Sequence, residues 1–224
     1  MPASSPVLSI SIVVFQSDLQ ILQQTLDSLL VALDSVLPHQ IAAAQLRIIC
    51  NDQRAAALDS GLQLPPLAGL STRIEDASGN IGYGAAHNIA IEAAHSDFHL
   101  ILNPDVILDA KSLRTGLAFL AEHDDVAAVS PRVTDNSGEQ QFRCKRFPSL
   151  LDFLLRGFAP ELLRRRFSQR LAHYEMRDLP SDRPARDIPI ISGCFMLFRT
   201  STLQQLRGFD PDYFLYFEDF DLSL

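Results

Sequence analysis

The sequence predicts an α/β fold with a mostly parallel central sheet flanked by helices, and three observations carry that expectation. Short apolar or β-branched runs alternate with leucine-rich stretches at helical spacing through about residue 130. Phe98-His99-Leu100-Ile101-Leu102 has four apolar residues in five and stops at Asn103-Pro104-Asp105, the mark of a strand buried on both faces. The 224 residues are 47% hydrophobic and 21% charged, ordinary for a globular chain able to bury a sizeable core.

Residues 8–15 begin in alternation and finish apolar, which predicts strand one. Ser17 or Asp18 can cap the helix that follows, where Leu19, Leu22, Leu26, Leu29, Leu30, Leu33 and Leu37 recur at helical spacing until Pro38. Leu46 to Cys50 predicts strand two, ending at Asn51-Asp52, and Thr72 to Glu75 a more polar strand three. A glycine loop at residues 80–84 leads into a small-residue helix through about His95. The buried strand over 98–105 comes next, and then a helix around Leu113, Leu117 and Leu120. Beyond Val129 the character changes. A turn at Asp135-Asn136-Ser137-Gly138 precedes an extended arm from Gln141 to Phe147. Helical spacing covers 150–177, and a proline-bearing loop runs from Asp178 to Asp187. Ile188 to Phe198 predicts another strand, Ser201 to Arg207 a short helix, and the tail is aromatic and acidic.

The net charge of −8 is uneven: residues 1–140 carry 6 basic and 16 acidic side chains, residues 141–199 carry 12 and 6. So acidic a whole argues against nucleic acid. The basic segment suits a phosphate-bearing substrate, an anionic membrane surface or simply a solvated helix face. The longest apolar runs are too short to cross a bilayer, and Met1 to Pro6 lack the basic start of a secretory signal. Cys50, Cys144 and Cys194 have neither metal nor redox spacing, which suits reduced thiols in a cytosolic protein. His39, His87, His95, His99, His123 and His173 make no ligand pattern, and structural roles are expected for them.

Three places could carry chemistry. Asp105 follows the carboxyl end of a buried strand, where open α/β sheets bind ligands. Pro104 holds it at a set angle to Asn103, and two oxygen-bearing side chains suit Mg²⁺ or Mn²⁺ sharing its shell with substrate phosphates. By itself, a plain turn is the commoner reading of such a tripeptide. Gly82 and Gly84 around Tyr83, with Asn80 before and Asn88 after, permit close backbone approach to a ligand. Amides opening the next helix could face a pyrophosphate, although the spacing is not the dinucleotide fingerprint. Glu218, Asp219 and Asp221 sit in a run of five aromatics from Tyr213 to Phe220. Clustered carboxylates in apolar surroundings raise one another's pKa values, as a general base requires, while a helix start enriched in acids is the plainer alternative.

The order of these motifs resembles family 2 glycosyltransferases with the GT-A (nucleotide-diphospho-sugar transferase) fold, particularly their bacterial rhamnosyltransferase-like members. Ile10 to Phe15 looks like the family's opening strand, whose end meets the nucleotide base, and Ile48-Ile49-Cys50-Asn51-Asp52 like the strand whose terminal acid holds a pyrimidine. Asn80-Ile81-Gly82-Tyr83-Gly84 with Asn88 resembles the Asn-x-Gly-[Phe/Tyr]-x-x-x-x-Asn loop. Leu102-Asn103-Pro104-Asp105 resembles the Asn-Pro-Asp form of the metal-binding Asp-x-Asp motif. Ser192 to Leu197, Gly208-Phe209-Asp210 and Glu218-Asp219-Phe220-Asp221-Leu222 resemble the acceptor-side strand and the Glu-Asp-x-Asp-Leu motif, and Arg146-Phe147-Pro148-Ser149 a segment common in the rhamnosyltransferase-like group. Asn51-Asp52 is shifted from the commoner Asp-Asn, Asn103 replaces a carboxylate, and the chain stops three residues after Asp221, which suggests a truncated protein.

The resemblance implies an inverting transfer of a sugar, with rhamnose the suggested one, from a dTDP- or UDP-sugar to an acceptor hydroxyl in cell-surface polysaccharide synthesis. Residues 1–130 would bind the nucleotide sugar and 131–224 form the acceptor-side half of the same domain. It implies Asp219 as base with Glu218 orienting a glycan or lipid-linked acceptor. Asp105 would hold a divalent cation, and Phe15, Asn51, Asp52, Asn80, Gly82, Tyr83, Asn88 and Asn103 the donor. The expected place of work is cytoplasmic, at the inner face of the membrane. A sugar-phosphate nucleotidyltransferase would need a glycine-rich basic loop after strand one, which Phe15-Gln16-Ser17-Asp18 does not offer. A non-catalytic nucleotide-sugar-binding domain of the same fold is the remaining rival.

Overall fold

The computed structural model describes residues 5–135, 137–180 and 182–224; Met1 to Ser4, Asn136 of the expected turn and Ser181 of the expected loop lie outside the described residues. The chain folds as β1 (Val7–Val14), α1 (Leu19–Asp34), β2 (Ala43–Cys50), α2 (Ala55–Gly61), β3 (Leu70–Asp76), α3 (Tyr83–Glu92), β4 (Phe98–Leu102) and α4 (Ser112–Glu122). There follow β5 (Ala128–Val129), β6 (Val133–Thr134), β7 (Gln140–Gln141), α5 (Leu150–Gly157), α6 (Glu161–Arg166), α7 (Ser168–Tyr174), β8 (Phe195–Arg199), α8 (Thr200–Gln205) and α9 (Glu218–Leu222). Two compact units result, Met1–Pro131 with Gly193–Leu222 and Arg132–Ser192 with Ser223–Leu224.

The larger unit is built on a six-stranded sheet in the order β3-β2-β1-β4-β8-β5. β1 runs parallel to β2 and β4, and β2 parallel to β3, whereas β8 runs antiparallel to both β4 and β5. The mostly parallel sheet is as expected, and its central strands are the most apolar. Every residue of β4 is buried, and so is every residue of β1 after Val7. α1 lays Leu22, Leu26, Leu29 and Leu33 against that sheet, and its first turn is capped by Asp18, which accepts from the Gln20 amide at 2.8 Å and the Ile21 amide at 3.2 Å.

Among the departures from expectation, three have a local cause. The α1 helix ends at Asp34, short of Leu37. Residues just before a proline are steered away from helical ψ, and Pro38 follows. The strand expected over Ile188 to Phe198 is regular only from Phe195. Pro189 has no N–H to give a ladder, and the Gly193 N–H is taken by Asp219. The small-residue helix α2 had no apolar stripe to reveal it; the Asp76 carboxylate accepts the Ala55 N–H at 2.9 Å and so starts it.

One polar chain crosses this apolar core. His99 on β4 meets Ser9 Oγ through Nδ1 at 2.6 Å and Ser11 Oγ through Nε2 at 2.9 Å, and Ser11 also meets His87 Nδ1 at 2.7 Å. All four residues are buried. The two histidines are therefore structural, as expected, and burial keeps both neutral: His99 is pushed down to about 3, and His87 well below the ordinary value, first by burial and then by His99.

A neutral imidazole that protonates more readily when unfolded destabilises the fold in acid. Stability is complete above the ordinary value of 6.5 and falls as the pH drops from there toward about 3. Thermal midpoints measured from pH 7.5 to 4 will fall along that window, and His99→Gln will flatten the slope. Ser11→Ala, which strands polar atoms on both rings, will lower stability at pH 7.5 by about 1–3 kcal/mol.

Candidate functional site

β1 and β4 lie side by side, and the chain leaves β1 toward β2 at one edge of the sheet and β4 toward β5 at the other. That makes the crevice beyond their carboxyl ends the switch point of the topology. A cavity of about 480 Å³ opens there, lined among others by Phe15, Ser17, Asp18, Asn51, Asn80, Gly82, Tyr83, Asn103, Asp105 and Phe214. Seven of the residues expected at the site thus share one hollow: Phe15, Asn51, Asn80, Gly82, Tyr83, Asn103 and Asp105.

Asn51 is held at the end of β2 by its own amide, which donates to the Val14 carbonyl at 2.8 Å. Its Nδ2 donates to the Gly82 carbonyl at 2.9 Å. Its Oδ1 is buried with no hydrogen-bond partner among the described residues, an acceptor available to a ligand. Asp52 is outside the cavity lining. Its Oδ2 accepts from the Gln16 amide at 2.7 Å and from Arg54 Nε at 2.6 Å, so it braces the loop after β1. Of the two neighbours, Asn51 is the one that reaches the hollow.

Gly82 opens α3 with φ +94°, a backbone that side chains avoid, and an added Cβ would lie 2.6 Å from the Phe214 carbonyl oxygen. That carbonyl also accepts the Tyr83 N–H at 3.1 Å. The Tyr83 amide, the first of those opening α3, is therefore engaged within the chain. Asn88 is not among the residues lining the hollow: it donates to the Phe209 carbonyl at 2.7 Å and accepts the Phe209 N–H at 2.9 Å, bracing the segment after α8.

Tyr83 is the centre of the arrangement. Its hydroxyl lies 2.8 Å from Asn103 Oδ1 and 2.9 Å from the Gly193 carbonyl, offering one proton to two acceptors. Gly193 in turn donates its N–H to Asp219 Oδ2 at 3.1 Å. The Asn103 N–H donates to the Cys194 carbonyl at 3.0 Å. Burial raises the Tyr83 phenol well above its usual value, and the charges of Cys194, Glu218, Asp219 and Asp105 add to the shift, so it stays a proton donor. Burial also raises both Asp219 and Glu218. Neither lines the cavity; Asp219 is half-buried beside it, while Glu218 is buried with its Oε2 unpartnered among the described residues.

Among the described residues no group of three or more His, Cys, Asp or Glu side chains could hold a metal ion. The exposed Asp105 carboxylate and the Asn103 carboxamide offer one charged and one neutral oxygen. That donor set fits a hard cation which draws the rest of its shell from water and phosphate oxygens. Ser17 and Asp18 at the start of α1, and Phe214 and Leu215 in the tail, complete the lining without having been expected there. The Asp18 cap following a strand was the one readable sign.

Gly82→Ala will disturb α3 and the 214 loop together. A lower thermal midpoint and a weaker ligand response are the expected outcomes. Tyr83→Phe, which leaves the ring and removes the shared proton, will fold with a loss of about 1–3 kcal/mol in a denaturant titration.

A family described as glycosyltransferase like family 2 matches residues 6–224. The chain is 29% identical over 168 residues to N-acetylglucosaminyl-diphospho-decaprenol L-rhamnosyltransferase of Mycobacterium tuberculosis, a match covering 68% of this chain and 52% of that protein. It is 27% identical over 156 residues to rhamnosyltransferase WbbL of Escherichia coli (strain K12), covering 65% and 54%. The chain spans about half the length of the curated relatives it matches. Among solved structures, mannosyltransferase PcManGT from Pyrobaculum calidifontis, in complex with GDP-Man and Mn²⁺, superposes with a TM-score of 0.58 at 15% identity, over 99% of this chain and 52% of that one. S. aureus TarS superposes with a TM-score of 0.53 at 15% identity, over 96% and 54%. These likenesses in shape establish the GT-A fold, and the family match extends over nearly the whole sequence: the chain belongs to glycosyltransferase-like family 2.

Proposed function

We propose that this chain is the donor-binding and catalytic part of an inverting glycosyltransferase. It moves a sugar, rhamnose by likeness to its relatives, from a dTDP- or UDP-sugar to an acceptor hydroxyl on a glycan or lipid-linked chain in polysaccharide synthesis. Residues 1–130 hold the nucleotide sugar and residues 131–224 serve the acceptor side. The observation that carries the reading is the bridge of Tyr83 between Asn103 and Gly193, with Asp219 held on Gly193: Asn103, beside Asp105, and the candidate base lie three hydrogen bonds apart.

In this reading Phe15 and Asn51 meet the pyrimidine, with Asp52 behind them stiffening the loop after β1. Asn80, Gly82 and Tyr83 shape the wall of the donor pocket, and Asn88 keeps α3 joined to the Phe209 segment. Asp105 and Asn103 hold a divalent cation, Mg²⁺ or Mn²⁺, which when bound offsets charge on the leaving diphosphate. Asp219 takes the proton of the acceptor hydroxyl as its oxygen bonds to the anomeric carbon and the bond to the diphosphate breaks on the opposite face. Burial makes Asp219 a stronger base than an exposed carboxylate, and Glu218 beside it orients the acceptor.

Thermal shifts with dTDP, UDP and GDP, each with and without Mn²⁺, test donor binding. A pyrimidine diphosphate at 100 times its Kd is expected to add about 2.7 kcal/mol only when the metal is present. Asp105→Asn will lose the metal-dependent part of that shift. Asp219→Asn will keep the shift and lose donor turnover by about 10²–10⁴-fold. Equal turnover in wild type and Asp219→Asn would leave only a non-catalytic nucleotide-sugar-binding domain.

A further inference from the structure

We propose that the helical hairpin formed by α5 and α6 is a docking surface for an anionic phospholipid bilayer. The inference is independent of the reaction proposed above.

Within the smaller unit, α5 turns only Asp152 and Leu155 inward, and α6 buries none of its residues. The orientation of α5 is set by its capping box, in which Ser149 and Asp152 satisfy each other's amides. Arg170 Nε then donates to Asp152 Oδ1 at 2.7 Å and completes the anchor. That leaves Phe147, Leu150, Leu154, Phe158, Leu162 and Leu163 facing solvent. Leu150 is 83% exposed, Phe158 85% and Leu162 83%. Large apolar side chains gathered in one short stretch and left in water mark a surface with a partner.

The charges beside them say which partner. Arg164, Arg165 and Arg166 follow Leu162 and Leu163 directly, and Arg156 is exposed on α5. Arg165 pairs with Glu161 at 3.2 Å; Arg164 and Arg166 form no ion pair among the described residues. Residues 132–192 carry 12 basic and 8 acidic side chains, net +4, while the rest of the chain carries 7 and 19, net −12. Leucine and phenylalanine enter the acyl boundary of a bilayer, and adjacent arginines meet lipid phosphates. A second copy of the chain would set this arginine run against itself across a two-fold axis. A nucleic acid would leave the leucines in water. Among the described residues no helix is long and apolar enough to cross a membrane, so the contact lies at the interface.

Co-sedimentation with vesicles tests the proposal, using phosphatidylcholine alone and phosphatidylcholine mixed with phosphatidylglycerol. The anionic vesicles are expected to bind the protein about tenfold more tightly or better, and raised salt to weaken that binding. Leu150→Ser with Leu162→Ser, and separately Arg164→Gln with Arg166→Gln, are each expected to weaken it about tenfold. Their thermal midpoints will match wild type because all four side chains are exposed. Equal binding by wild type and both variants overturns the proposal, as does wild type that ignores anionic vesicles. Self-association through the same leucines, without vesicle binding, overturns it in favour of a second copy.

Discussion

The direction of β8 decides what this molecule can do. β8 pairs antiparallel to β4, with Leu102 opposite Phe195, so the start of one strand lies beside the end of the other. Residues 193 and 194 are thereby delivered to the rim where β4 hands over to Asn103-Pro104-Asp105. A parallel β8 would have carried Gly193 to the far edge of the sheet. With it would have gone the amide that holds Asp219 and the carbonyl that meets Tyr83.

The rim is held by side chains that do no chemistry of their own. Thr25 on α1 donates to the Pro104 carbonyl at 2.8 Å, and Ser28 accepts the Leu108 amide at 3.0 Å, so a core helix fixes the loop carrying Asp105. Asn88 fastens α3 to the backbone of Phe209, and the residue before it is Gly208, whose φ of 69° and close approach to that asparagine both exclude a side chain. Each ties a polar side chain to a distant backbone group in partly buried surroundings, where leaving a partner unmade costs more than making the bond gains. The cost of error makes the geometry specific.

The same logic explains the buried histidines. Ser9, Ser11, His99 and His87 carry polarity through a sheet otherwise closed to it, and each ring is neutral because ionising it there would mean removing a charge from water. The acidic groups of the site obey the opposite sign: burial raises Asp219 and Glu218, so the desolvation that silences an imidazole makes a carboxylate more basic. Desolvation thus keeps the histidines neutral and holds the two carboxylates above their usual range.

Much of this was legible in the residues alone. Apolar runs of five to eight residues ending in Asn-Asp or Asn-Pro-Asp determined the parallel strands and the rim residues at their ends, because strand burial and turn chemistry are local properties. The Asp18 cap and the helix of leucines after it are local in the same way. What no local pattern carried was partnership. Asn51 and Asp52 are equivalent in the sequence, yet only Asn51 reaches the cavity, since Asp52 is drawn to the Gln16 amide and to Arg54. Asn88 was read as a ligand residue and proves to be spent on Phe209, 121 positions away. The strand expected from Ile188 is shortened by an amide committed to Asp219. The sequence by itself determined which segments become strands and helices and which residues stand at their ends. Only the tertiary structure decided which of those residues line the hollow and which brace distant segments, because hydrogen bonds between distant segments are settled by packing.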